Sequence, residues 1–192
     1  MRLASRAVPW VALAVVAIFF GSFGCGGGGG GGGGGPTEPP PPSSGVQFTA
    51  DAPAGANSVY LGQGSSSVAN RFRLDVKASQ VSDLYGVSFN LEYPEARLRF
   101  LPGSTSEGSF LSSSGSTDLI VEEDSPGLIV VGLSLLGDVE GRDGSGTLLS
   151  LEFETLSAGS GPIQMRQHDA VNSTGDVMDQ VEWIGGTVNV SG

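Results

Sequence analysis

From residue 46 onward the sequence predicts an all-β domain, a sandwich or barrel of short strands. Three observations carry that expectation. Apolar residues recur with a period of two in several separate segments, no stretch of any length keeps a helical period, and Gly, Ser, Pro and Asp gather between the segments. Strands joined by polar turns produce that pattern. The segment around which the others are arranged runs from Asp83 to Glu95. Tyr85, Val87, Phe89, Leu91 and Tyr93 fall on one side of it, and Gly86, Ser88, Asn90 and Glu92 on the other. Successive strand side chains point to opposite faces, so one face of this strand lies in a core and the other is polar. Pro94 ends it, having no N–H to give to a ladder.

The remaining elements follow in chain order. Val46 to Phe48 and Ser58 to Leu61 read as short opening strands, and Arg71 to Lys77 alternates with Phe72, Leu74 and Val76 inward. After the Asp83 to Glu95 strand, Arg97 to Leu101 is a short strand closed by the turn signal Pro102-Gly103. Ser104 to Ser116 is a Ser/Gly-rich loop whose Phe110 and Leu111 are expected to dip into the core. Thr117 to Glu122 and Leu128 to Leu136 flank Glu123-Asp124-Ser125-Pro126-Gly127, a hairpin signal. Gly137 to Gly146 reads as an acidic loop with His168 further on at a strand end, and Thr147 to Thr155, Gly161 to Val171 and Val181 to Val190 complete about nine strands. The residues from Val46 to Gly192 suffice for one sizeable core.

The first 45 residues read differently. Arg2 and Arg6 precede an apolar run of 13 residues, Val8 to Phe20, followed by Gly24 and Cys25. That run has the length of a signal-peptide core and is short for a bilayer span. The layout resembles a bacterial lipoprotein signal, although Ser22 and Phe23 stand where that pattern usually has Leu and a small residue. The resemblance implies cleavage of residues 1–24, lipidation of Cys25, and attachment at the cell envelope as the only contact with a membrane. An ordinary secretory signal with an incidental cysteine is the alternative. Residues 25–45 contain ten consecutive glycines, Gly26 to Gly35, and a Pro-rich stretch to Ser44. Such a tract builds no core and serves as a tether, with a reach on the order of 65 Å from Cys25 to Ser44 when fully stretched.

Charge narrows the function classes. Twenty Asp and Glu stand against nine Lys and Arg, with a formal net charge of −11. Nucleic-acid binding needs a basic footprint and is excluded as an expectation. One cysteine permits no intrachain disulfide, and one cysteine with one histidine permits no His/Cys metal cluster. Acidic loops (Asp138, Glu140 and Asp143; Glu122, Glu123 and Asp124; Asp176 and Asp179) could take calcium, but none has EF-hand spacing. No cofactor is expected. His168 beside Asp169 has no nucleophile placed by any recognisable motif, so the chain is read as non-catalytic. Trp10 and Trp183 are the only tryptophans, thin material for the aromatic platform of a sugar site.

The ordered set of segments resembles the cohesin domain. The matching pieces are Phe72 to Val76; Leu84-Tyr85-Gly86-Val87-Ser88-Phe89-Asn90-Leu91-Glu92-Tyr93-Pro94 with Leu98; Gly146-Thr147-Leu148-Leu149-Ser150-Leu151-Glu152-Phe153; and Gly186-Thr187-Val188-Asn189-Val190. Together they span Ser58 to Gly192, and the family's usual Asp between Tyr and Pro is missing after Tyr93. The resemblance implies a nine-stranded jelly-roll sandwich related to carbohydrate-binding modules. It also implies a partner, a dockerin-bearing secreted protein, held on a flat face of the third, fifth, sixth and eighth strands. Carried over, the partner-binding residues are Ser88 and Asn90; Asp118, Ile120 and Glu122; and Val130, Gly132 and Ser134. Gly86 falls where some members carry Asn. Ile120 and Val130 would form an apolar centre within a polar rim, the usual build of a protein interface. A module binding polysaccharide, or a purely structural envelope protein, are the alternatives.

Overall fold

The computed structural model describes residues 45–66 and 68–192. The expected signal at residues 1–24, Cys25 and the tether up to Ser44 lie outside the described residues. Twelve strands and one helical turn follow in the order β1 (Val46–Ala50), β2 (Ser58–Gly64), β3 (Arg71–Leu84), β4 (Gly86–Glu92), β5 (Leu98–Phe100), β6 (Ser106–Glu107), α1 (Ser109–Ser112), β7 (Thr117–Ser125), β8 (Leu128–Leu135), β9 (Arg142–Thr155), β10 (Gly159–Val171), β11 (Glu182–Ile184) and β12 (Gly186–Val190). One sheet has the order β1-β12-β10-β4-β8-β7, and the other β11-β2-β3-β9-β5 with β6 alongside β9. Every pairing is antiparallel except β11 with β2, which is parallel.

The core lies between the two inner faces and is made by the alternation that the sequence announces. β3 contributes Phe72, Leu74, Val76 and Ala78; β4 contributes Val87, Phe89 and Leu91; β8 contributes Ile129, Val131, Leu133 and Leu135. Phe153 sits at one focus, with Tyr93, Phe100 and Phe72 rings at 5.1, 5.7 and 6.1 Å. Phe110 and Leu111 are buried, so the serine-rich loop is pinned as expected. Its anchor is Gly108, whose N–H donates to the Leu148 carbonyl at 2.8 Å. A Cβ there would stand 2.0 Å from the Thr147 carbonyl oxygen, so only glycine allows that approach.

Four expectations need correction. Twelve strand segments stand where the ten segments named above were read as about nine strands, because β6 is a two-residue piece inside the serine-rich loop and the last strand is split at Gly185 between the two sheets. The loop expected over Gly137 to Gly146 is shorter, since β9 starts at Arg142 and pairs with an irregular end of β3 at Leu84 and Val81. Tyr85 faces the core as expected but is only half-buried at the sheet margin, where its hydroxyl donates to the Gly137 carbonyl at 2.6 Å. His168 lies within β10 rather than at its end, at a bulge between Arg166 and Asp169.

The described chain begins beside its own end. Gly45 N–H donates to Ser191 Oγ at 3.0 Å, and Ser191 N–H donates to the Gly45 carbonyl at 2.9 Å. The free edge of β1 is covered by a side chain of the other sheet. Gln63 Oε1 accepts from Phe48 N–H at 2.9 Å while Gln63 Nε2 donates to the Val46 carbonyl at 2.9 Å.

Candidate functional site

The outer face of the first sheet is set by register. Across β7, β8, β4 and β10, Asp118, Ser134, Gly86 and Val171 form one row. Ile120, Gly132, Ser88 and Asp169 form the next, and Glu122, Val130, Asn90 and Arg166 the third. All eight residues expected on β4, β7 and β8 therefore share one face. Ile120 and Val130 keep 51% and 40% of their surface in solvent, high for side chains of that kind on a folded sheet. Asn90 Nδ2 donates to Gln167 Oε1 at 2.6 Å, and Ser134 Oγ donates to the Leu135 carbonyl at 2.9 Å.

Between the walls the floor is made of small residues. Gly86, Ser88, Gly132, Ser134, Asp118, Ile120, Asp169 and Val171 line a shallow hollow of about 260 Å³. A Cβ built on Gly132 would meet nothing within 4 Å, so the missing side chain leaves the floor open. Gly86 is different: a Cβ there would stand 2.9 Å from the Ser134 Cβ, so no side chain fits without displacing its neighbour. Adjacent strands are about 4.8 Å apart, which sets β7 and β10 about 14 Å from each other. The hollow is a shallow trough that Val130 and Asn90 of the third row interrupt, so it seats about one turn of a helix rather than a helix lying along the strands.

Charge distinguishes the two outer faces. On the second sheet, Arg71, Arg73, Lys77 and Arg99 are each matched with a carboxylate of Glu152, Asp75 or Glu154. On the first sheet Asp118, Glu122 and Asp169 are exposed with no ion pair among the described residues, and Arg166 is engaged with Glu92 at 3.5 Å. The face is an apolar centre in an acidic surround.

Val171, Asp169 and Arg166 complete the face from β10 and were not foreseen. Counting by twos from the inward Met165 puts residues 167, 169 and 171 in the core. The bulge adds one residue, with Gln167 at φ 45°, so that Ala170 turns inward and Asp169 and Val171 turn out. A bulge re-aims the side chains that follow it, and alternation alone cannot announce one.

Other candidates are absorbed by structure. Trp183 is half-buried, stacked on His168 with ring centroids 4.6 Å apart and packed against Phe89 at 5.9 Å, so it offers no open ring face to a sugar. Trp10 and Cys25 lie outside the described residues. Asp143 Oδ1 accepts from Asp83 N–H at 2.7 Å, Asp176 Oδ2 from the Thr174 hydroxyl at 2.6 Å, and Glu123 Oε1 from the Tyr93 hydroxyl at 2.5 Å. Among the described residues no three His, Cys, Asp or Glu side chains cluster as a metal site.

The sequence itself matches no family model and no curated protein. Solved structures do match. The second type II cohesin module of the adaptor ScaA scaffoldin of Acetivibrio cellulolyticus superposes with a TM-score of 0.60 at 15% identity, over 72% of this chain and 93% of that one. A non-cellulosomal cohesin from the archaeon Archaeoglobus fulgidus gives 0.53 at 22% identity, over 69% and 89%. The fold is the cohesin fold. A further cohesin-fold neighbour, the sixth cohesin of scaffoldin B from Acetivibrio cellulolyticus, was solved in complex with a mutant Cel5 dockerin; it gives 0.55 at 16% identity, over 71% of this chain and all of that one. At such identities the likeness to cohesins is one of fold.

Proposed function

We propose that this chain is a non-catalytic receptor of the bacterial cell envelope, anchored through lipidated Cys25, which holds a dockerin-type helical module of another secreted protein on the β10-β4-β8-β7 face. The reading rests on one observation above all: a shallow trough, floored by Ser134, Gly132, Gly86 and Ser88 and walled by Ile120 and Val171, beside the exposed apolar side chains of Ile120 and Val130 on a cohesin-like sandwich. The acidic surround of Asp118, Glu122 and Asp169 selects partners with Lys or Arg around an apolar contact. Gathering secreted, polysaccharide-degrading proteins at the surface would follow from such a partner. The packed ring of Trp183 favours a protein over a glycan as ligand.

The test is capture from the secreted proteins of the source organism on the immobilised chain, with Ile120→Asp as control. A dockerin-bearing protein held by the native chain and lost from the variant supports the proposal. Equal capture by both proteins sinks the proposed face, and retardation on a polysaccharide gel without such capture moves the function to glycan binding. The anchor is tested separately: Cys25→Ala should abolish labelling by an alkyne fatty acid and release the protein into the medium.

A further inference from the structure

A sheet edge presents unpaired N–H and C=O groups that will pair with any strand able to approach. The two sheets end at β1, β7, β5 and β11, with the two-residue β6 a further edge piece on β9. β5 and β11 have three residues each, and β1 is covered by the Gln63 amide. β7 has nine residues and, among the described residues, no such cover.

Its open side follows from the register. Leu136 N–H donates to the Ser116 carbonyl at 2.9 Å, which makes Ser116 and Leu136 a hydrogen-bonded pair. Such pairs recur at every second residue, so Asp118, Ile120 and Glu122 spend their backbone groups on Ser134, Gly132 and Val130. The N–H and C=O of Leu119 and Val121 point away from β8, and among the described residues nothing bonds them. On the outer face the strand reads acid, apolar, acid: Asp118, Ile120, Glu122. A second copy of this chain is a poor occupant. Antiparallel pairing about Ile120 would set Asp118 of each copy against Glu122 of the other, with like charges directly opposite.

We propose that β7 is a strand-addition site for an extended basic segment of a partner protein. The segment runs antiparallel to β7, with Lys or Arg opposite Asp118 and Glu122 and an apolar residue opposite Ile120. Its backbone bonds to Leu119 and Val121 supply affinity, and the charges supply selection. Asp118, Ile120 and Glu122 serve both this site and the proposed dockerin face, but the backbone groups of Leu119 and Val121 serve only this one, so loss of their protection separates the two readings.

Hydrogen exchange on the full chain tests it with the peptide acetyl-Thr-Lys-Val-Ile-Val-Lys-Thr-amide as probe. At a peptide concentration ten times the dissociation constant, exchange at Leu119 and Val121 should slow about ten-fold. A peptide N-methylated at the residues that would donate to Leu119 and Val121 should give no slowing, although its side chains are unchanged. The Asp118→Lys, Glu122→Lys double variant should lose the Lys peptide and accept the Glu counterpart. No slowing at millimolar peptide, equal slowing by the N-methylated peptide, or equal slowing by lysine and glutamate peptides on the native chain would each overturn the proposal.

Discussion

Ile120 stands half in solvent on an edge strand, so Ile120→Asp takes almost nothing from the core of the free protein. Host-protein scales of strand preference span about 1 kcal/mol, which bounds the stability change and puts the shift in melting temperature at a few degrees. Binding is another matter. Full burial of an Ile side chain is worth about 1.5 to 3 kcal/mol, and 51% of this one is still exposed, so docking that covers it draws about 1 kcal/mol from it. The variant forfeits that and buries a carboxylate with no partner, a penalty of about 2 kcal/mol or more. Asp118 and Glu122 flank the new charge and oppose it further. The sum, about 3 kcal/mol, raises the dissociation constant by about two powers of ten. Titration calorimetry with a dockerin module that the native chain captures, paired with a thermal scan, reads both quantities. A dissociation constant within three-fold of native, with folding intact, refutes the placement of Ile120 at the centre of the interface. A collapse of the melting temperature by more than ten degrees refutes the claim that the residue is structurally idle.

Three further outcomes follow from other positions. Gly132→Val fills the hollow with a side chain whose Cβ meets nothing within 4 Å, so the variant should melt no lower than native and bind the same dockerin at least ten-fold more weakly. Burial first, and then the bond to Glu123, hold the Tyr93 phenol above its usual 10.0. A raised value means the neutral phenol is the form the fold favours, so the stability it contributes is complete below pH 10 and drains away as pH rises through the folded value. Tyr93→Phe should cost about 1 kcal/mol at pH 8 and show less alkaline loss than native in urea melts at pH 11. Gln63→Ala strips both bonds from the β1 edge, at about 1 kcal/mol each, and amide exchange at Phe48 should accelerate while Val131 in the opposite half of the sheet stays protected.

The alternation of Phe72, Leu74, Val76 and of Val87, Phe89, Leu91 was enough to give these strands their inner faces, because a half-buried strand must repeat every two residues; which sheet each strand joins was not legible in it. Ile120, Val130 and Gly132 came from the resemblance to cohesins instead, because Leu128 to Leu136 is too continuously apolar for alternation to pick a face. Alternation failed on β10, where one inserted residue reverses the phase, so that half of the trough, Asp169 and Val171, was hidden behind a pattern that points them inward. It failed again at residues 142–146, where Arg142, Asp143, Gly144 and Ser145 look like a solvated loop yet extend β9, since pairing with the irregular end of β3 does not ask for apolar side chains. The hollow had no sequence signature either. A glycine in a strand announces that something is absent, and only the neighbours on β4 and β7 show that the absence is open to solvent rather than filled.

The Gln63 amide at the start of β1 has a mechanical meaning. A pull applied at Gly45 while a partner holds the far side of the sheet enters at the Val46 end of β1 and tends to peel that strand from β12 one pair at a time, the weakest geometry in which a sheet can be loaded. The two bonds from Gln63 reach Val46 and Phe48, just behind the Gly45–Ser191 bonds that such a pull meets first, and they originate in the other sheet. Load is thus shared between both layers as soon as β1 begins to part from β12, as a rivet shares it between two plates.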